Sequence, residues 1–284
     1  MKKYFSLVLF AHSIFAMPFA MIGFFLGVTT SAQPFNWLLL VLVVLCMVFA
    51  RNAAMAFNRF LDRYIDAKNP RTVMRDIPSG KVSANEALIF VIINCLLFIT
   101  AAFFINPLCF YLSPIALFVV LFYSYTKRFT ALCHLVLGLG LSLAPIGAYI
   151  AVTGHFNLIP IFYAFAVLFW VSGFDIIYAL QDEDFDRSQK LHSIPAAIGS
   201  KNALRLSELL HVFAAVCVVL PLFFMHLSWM YYVGIIFFCT MLVYQHRLVK
   251  PNDLSRVDRA FATTNGYASV VFALCFLADT FLRR

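Results

Sequence analysis

The chain has 284 residues, with 21 Lys and Arg against 13 Asp and Glu for a formal net charge of +8, and 63% of its residues are hydrophobic, 17% aromatic and 12% charged. Ordinary soluble domains carry roughly 25% charged and 45–50% apolar residues, so this excess must be solvated by lipid, which excludes a soluble globular domain. A mean hydropathy of +0.90 agrees.

A hydrocarbon core about 30 Å thick takes roughly 20 apolar residues per helix. Nine such stretches occur, near 5–28, 36–60, 86–105, 108–125, 132–152, 158–181, 203–224, 228–247 and 262–281. The expectation is an all-α integral membrane protein, one transmembrane domain over 1–284. The first stretch follows Lys2 and Lys3, outruns a signal-peptide core and precedes no polar domain, so it reads as a retained helix.

In the second stretch Asn58, Asp62 and Asp66 recur every four residues. About 100° per residue keeps them within an arc of about 80° on one helix face, and Arg51 falls on that face two turns earlier. The motif continues through Asn69-Pro70-Arg71-Thr72 to Arg75, Pro78 and Gly80. An arginine inside an apolar helix is a functional-site candidate by default; pairing with Asp175 or a backbone carbonyl is the plainer alternative. The fourth stretch ends in Tyr123-Ser124-Tyr125-Thr126-Lys127-Arg128, which suits a ligand-binding face and an interfacial belt equally. The sixth ends in Asp175, Tyr178, Asp182 and Asp186 on one face, beside Glu183 and Asp184, with Lys190 beyond.

Other residues read more plainly. His12, His134, His211, His226 and His246 have no paired ligand spacing and suit packing or interfacial roles; Asp279 is expected to face water or Arg283. The seven cysteines, in apolar runs without a CxxC pair, read as small core hydrophobes. Most of the 33 Phe residues are expected to face lipid or pack, a few being available to line a tunnel or shield a carbocation.

Lys2, Lys3 and the loops after the second, fourth, sixth and eighth stretches hold 18 of the 21 basic residues. This bias puts the amino terminus and those loops in the cytoplasm, and nucleic acid is not needed to explain the charge. The acidic pairs Asp62/Asp66 and Asp182/Asp186 lie 120 residues apart, with four helices between them, so the chain reads as two parallel four-helix repeats plus a final helix.

Each acidic cluster alone fits a solvated helix end with local ion pairs. Two clusters at matched spacing argue for a shared positive partner, because crowded carboxylates near a membrane repel one another. Hard oxygen donors without neighbouring His or Cys point to Mg²⁺, which combines one or two carboxylates with substrate phosphates. Arg71, Arg75, Lys127, Arg128 and Lys190 would suit a diphosphate.

With these motifs in hand, the sequence resembles the UbiA superfamily of intramembrane aromatic prenyltransferases over essentially its whole length. The resemblance rests on Asn58-Arg59-x2-Asp62-x3-Asp66 with its Arg71-Thr72-x2-Arg75-x2-Pro78-x-Gly80 tail, on Asp175-x2-Tyr178-Ala179-x2-Asp182-x3-Asp186, and on Tyr123-x3-Lys127-Arg128. It implies a ring of helices around a central cavity, with Mg²⁺-bound isoprenyl diphosphate at the cytoplasmic mouth. Asn58, Asp62, Asp66, Asp182 and Asp186 would hold the metal and diphosphate; Arg71, Lys127 and Lys190 would contact phosphate, with Arg75, Tyr123 and Tyr178 in the same substrate site. Arg51 would hold the carboxylate of an aromatic acid, and Asp175 or a water would collect the ring proton.

The segment from His12 to Ala20 lacks the Lys-Pro-Ile-Gly-like stretch of the ubiquinone enzymes and looks like a sister branch named 4-hydroxybenzoate polyprenyltransferase-like. The implied reaction is polyprenyl transfer to an acid such as 4-hydroxybenzoate in respiratory quinone synthesis. A naphthoate precursor of menaquinone, haem, chlorophyllide or a glycerol-phosphate lipid are the other acceptors. A cation-coupled secondary transporter is the rival class, although transporter sites lie near mid-membrane and these acids cluster at the mouth.

Overall fold

The computed structural model describes residues 15–31 and 34–283. Lys2, Lys3, His12 and the beginning of the first apolar stretch lie outside the described residues. Among the described residues there are nine long helices: α1 (Met17–Thr30), α2 (Trp37–Asp66), α3 (Ala84–Ile105), α4 (Pro107–Thr126), α5 (Cys133–Thr153), α6 (Leu158–Ala179), α8 (Ile194–Val219), α9 (Trp229–Leu248) and α10 (Asn265–Leu282), with a short α7 (Glu183–Ser188) after α6. The nine fall on the nine apolar stretches. Seven spans are long and apolar enough to cross a membrane; α1 is described over 14 residues, and Tyr231, Tyr232, Tyr244, Gln245 and His246 lower the hydropathy of α9.

Local chemistry sets the helix starts. Asn36, Asn106 and Asn157 accept hydrogen bonds from backbone N–H groups in the first turns of α2, α4 and α6. Ser83 and Glu86 form a reciprocal capping box at α3. Three boundaries differ from the expectation. The second helix runs past residue 60 to Asp66, which puts all three oxygen donors of its motif on helix. The sixth tightens into a 3-10 turn at Leu180–Asp182 before α7, so Asp175 and Asp186 do not share one continuous helix. The seventh, α8, starts at Ile194 rather than 203, where Ser193 caps it and Pro195 occupies the first turn, then kinks at Gly199, whose φ of +78° favours glycine.

Helix α1 packs on α5, its counterpart in the other repeat, and the seam depends on close backbone approach. A Cβ on Gly23 would lie 2.1 Å from the carbonyl oxygen of Pro145. The same applies between α5 and α6, where a Cβ on Gly138 would lie 2.4 Å from the Leu168 carbonyl oxygen.

The two halves pack differently. Helices α6 and α8–α10, with one face each of α1 and α5, close around fully buried Phe19, Tyr163, Trp170, Tyr231, Phe238 and Phe272. Polar tips in this core are satisfied: Trp170 Nε1 donates to Asn265 Oδ1 at 2.8 Å, and Tyr163 OH donates to Tyr231 OH at 3.1 Å. Helices α1–α5 instead enclose a cavity of about 240 Å³. Outward faces carry exposed Ile89, Leu96, Phe103, Ile115, Phe118 and Ile236, as a lipid-facing surface requires. All seven cysteines are free thiols.

Candidate active site

Asn58, Asp62 and Asp66 occupy about the last two and a half turns of α2, and Asp66 sits in the final turn, where the helix carbonyls already create a partial negative charge. Carboxylates there are unfavourable by roughly 0.3–1 kcal/mol each unless cations compensate. The loops provide them. Lys127 Nζ lies 3.0 Å from Asp62 Oδ2 and Arg128 Nη2 lies 3.1 Å from Oδ1, while Asn58 donates to the same carboxylate at 3.2 Å. Arg75 Nη1 lies 2.8 Å from Asp66 Oδ1, and the other oxygen, Asp66 Oδ2, is buried without a hydrogen-bond partner.

The second motif meets the first through Arg71. Its Nε donates to Asp182 Oδ1 at 3.0 Å, its Nη2 pairs with Asp182 Oδ2, and its Nη1 donates to the Tyr178 hydroxyl at 2.9 Å. Asn69 adds a hydrogen bond to Asp182 Oδ1 at 3.0 Å. Burial works against the Arg71 charge, but hydrogen bonding to Asp182, its negative charge and Tyr178 hold the guanidinium pKa above its usual value. A π-helical turn at Arg259–Thr264 brings Phe261 onto the Tyr178 ring, centroids 4.2 Å apart, which fixes the phenol from its other side. The Lys127 carbonyl accepts the His192 N–H at 2.7 Å, tying the loop after α4 to the loop after α7. Asp186 is buried, with Lys127 and Asp182 as charged neighbours.

Below this mouth lies the cavity. Its walls are apolar and largely small, including Val43, Ala50, Ala54, Ala116, Gly147 and Ala151; Arg51 and Tyr123 are the charged and phenolic members of the lining. Asp175, Asp62 and Arg51 are the charged neighbours of Tyr123, so the cavity joins the acidic mouth at this point. The structure divides the end of α4 between the two readings of its sequence: Tyr123 faces the cavity, whereas Tyr125 is exposed, with the Arg128 guanidinium 5.8 Å from its ring centroid. Phe98 also lines the cavity.

Two expectations shift. Lys190 is exposed, has a φ of +55° and makes no ion pair among the described residues, so it does not join the acids. Asp279 is paired with Arg283 at 2.7 Å as expected, but it is fully buried rather than facing water, because it also accepts the Ser228 N–H at 2.6 Å. Sequence reasoning also missed residues. Arg59, counted as a loop charge, is buried among Arg75, Asp66 and Asp76. His134 is buried with Nδ1 2.6 Å from Asp175 Oδ2, a contact across 41 residues that no local spacing signals.

The donor set suits a hard cation in kind: Asn and Asp oxygens, with the buried, unpartnered Asp66 Oδ2 among them. It is not a preformed chelate. No group of three or more His, Cys, Asp or Glu side chains converges among the described residues, because Asp62, Asp66 and Asp182 are each engaged by Lys or Arg.

Residues 16–273 match the model of the UbiA prenyltransferase family. The chain belongs to that family. A 4-hydroxybenzoate octaprenyltransferase of Vibrio parahaemolyticus is 32% identical over 246 residues, 85% of this chain and 84% of that protein. The apo structure of a UbiA homologue from Aeropyrum pernix superposes with a TM-score of 0.84 at 32% identity, covering 94% of this chain and 98% of that one. A UbiA homologue from Archaeoglobus fulgidus, solved with GPP and Mg²⁺, superposes with a TM-score of 0.77 at 21% identity, over 98% and 99% of the two chains, and shares the fold. The all-helical UbiA architecture expected from the sequence is thus present, in a multi-pass membrane protein.

Proposed function

We propose that this enzyme transfers a polyprenyl group from an isoprenyl diphosphate to the ring of an aromatic carboxylic acid of the 4-hydroxybenzoate kind, in respiratory quinone synthesis. The observation that carries the reading is the junction at Tyr123, where an apolar cavity with one arginine in its lining meets a mouth rich in paired acids and bases. An isoprenoid tail needs the apolar walls, a diphosphate needs the cations, and an aromatic acid needs one cation in an otherwise dry pocket. The bias of basic residues toward one set of loops supports a cytoplasmic mouth and amino terminus.

Arg71, Arg75, Lys127 and Arg128 bind the diphosphate and stabilise the charge that grows on it as the allylic carbon–oxygen bond breaks. Asn58, Asp62, Asp66, Asp182 and Asp186 would hold Mg²⁺, which supplies Lewis-acid neutralisation of the leaving diphosphate when bound. Arg51 anchors the acceptor carboxylate so that a ring carbon faces the allylic carbon, a positioning effect. The ring electrons form the new carbon–carbon bond, and Asp175 receives the proton that the ring carbon gives up. Tyr123 and Tyr178 shape the polar boundary.

The test is an assay of purified, detergent-solubilised protein with a prenyl diphosphate and a panel of aromatic acids, with Mg²⁺ or EDTA, product being read by mass. A Mg²⁺-dependent prenylated 4-hydroxybenzoate is expected. A product from a naphthoate alone would move the acceptor, Mg²⁺-dependent donor binding without any product would sink the carboxylate role of Arg51, and loss of both would leave the transporter reading. Arg51→Ala should raise KM for the acid by about tenfold or more, the value of one charge-assisted contact, with donor binding unchanged.

A further inference from the structure

We infer that His134 is a positioning residue for the acid that takes the ring proton, an inference that rests on the prenyl-transfer reading above. His134 is 4% exposed on α5. Its Nε2 lies 3.3 Å from the Ile194 backbone nitrogen, a group that only donates, so Nε2 is the acceptor and carries no hydrogen. The ring hydrogen therefore sits on Nδ1, 2.6 Å from Asp175 Oδ2, and donates to that carboxylate. With both nitrogens used, the imidazole is neither a metal ligand nor a base. It is a fixed donor, as one backbone contact sets the tautomer that the other contact needs.

The backbone around it is equally constrained. The His134 carbonyl accepts the Ser172 hydroxyl at 3.1 Å, and Gly138, one turn on, lets α5 close onto α6. Asp175 is thereby held by one oxygen. The other, Oδ1, makes no hydrogen bond among the described residues, and the side chain is 23% exposed. The other acids differ: both oxygens of Asp62 meet cations, both oxygens of Asp182 meet Arg71, and one oxygen of Asp66 meets Arg75 while the other is buried. Asp175 is also a charged neighbour of Tyr123, alongside Arg51, which puts it where acceptor and donor meet.

The step balances. The allylic carbon–oxygen bond breaks with its electron pair leaving on diphosphate; a ring carbon supplies the pair for the new carbon–carbon bond. That carbon then loses its proton to Asp175 Oδ1, the C–H pair restoring aromaticity, and the carboxylic acid later releases the proton to water. His134 keeps Oδ1 aimed and Oδ2 out of competition.

The experiment compares wild type, His134→Leu and His134→Asn on 4-hydroxybenzoate carrying deuterium at the reacting carbon, with Mg²⁺-dependent geranyl diphosphate binding measured in parallel. His134→Leu should lower kcat by about 10²-fold, the scale of a misplaced general base, leave donor affinity within about twofold, and bring out a primary deuterium isotope effect on kcat. His134→Asn, whose amide nitrogen falls near the Nδ1 position, should recover much of the loss. An unchanged kcat, a loss without an isotope effect, or a loss matched by donor binding and not rescued by Asn would overturn the inference. If His134→Leu does not fold, Asn is compared with His134→Gln, whose nitrogen falls near Nε2; activity in Gln but not Asn would overturn it. A wild type inactive on every acid, seen before any variant is made, would instead overturn the functional reading.

Discussion

Arg71 is where the two acidic motifs touch, and its three donors all go to the second motif while its backbone belongs to the first. Arg71→Ala should raise the donor KM by about tenfold or more, since charge-assisted, bidentate contacts are the strong ones. Arg71→Lys should recover only part, because an ammonium lacks the planar fork. Steady-state kinetics against donor concentration checks both. Asp62→Ala and Asp182→Ala should each abolish turnover while leaving a monodisperse, helical protein by size exclusion and circular dichroism; retained turnover in either would count against a site built from both clusters. At this scale the acids were legible because fourfold spacing on a helix is a local signal. His134, Asn69 and Arg59 were not, since their roles depend on which distant loop or helix they meet.

At the level of helices, the seams between α1, α5 and α6 rest on glycine. Gly138→Val should lower the melting temperature in detergent and reduce yield, because added atoms would be driven into the Leu168 carbonyl and Ser172 Oγ; overpacking of this kind costs about 1–3 kcal/mol or more. Melting above wild type would show that the seam can open. Helix existence was readable from hydrophobic length alone, whereas exact starts were not: the one at Ile194, set by Ser193 and Pro195, lies ahead of the apolar run it precedes. The 3-10 turn at Leu180–Asp182 and the kink at Gly199 were not, because both keep the apolar pattern while changing the path of the backbone.

Across the whole molecule, the internal repeat predicts two similar halves, yet one is filled with aromatic rings and the other holds the cavity. Side-chain volume decides this: α5 presents Gly140, Ala144, Gly147, Ala148 and Ala151 to the cavity, whereas the opposite core receives Trp170, Phe238 and Phe272. No pattern of acids or hydropathy carries that difference. A Cβ on Gly147 would meet no atom within 4 Å, so Gly147→Phe should fold, keep turnover with a short prenyl diphosphate and lose about tenfold or more with a long one. Equal loss for both lengths would show that the tail runs elsewhere.

The division between a solid half and a hollow half also says where this protein can change. Substitutions in α6 and α8–α10 disturb a close-packed interior, so those helices tolerate changes of volume least and are the natural target for thermostabilisation. The cavity-lining side chains of α2–α5 border open volume on one side, and change at those positions alters which lipids fit without undoing the packing between the helices. A library aimed at new donors should therefore draw its diversity almost wholly from the first half of the chain.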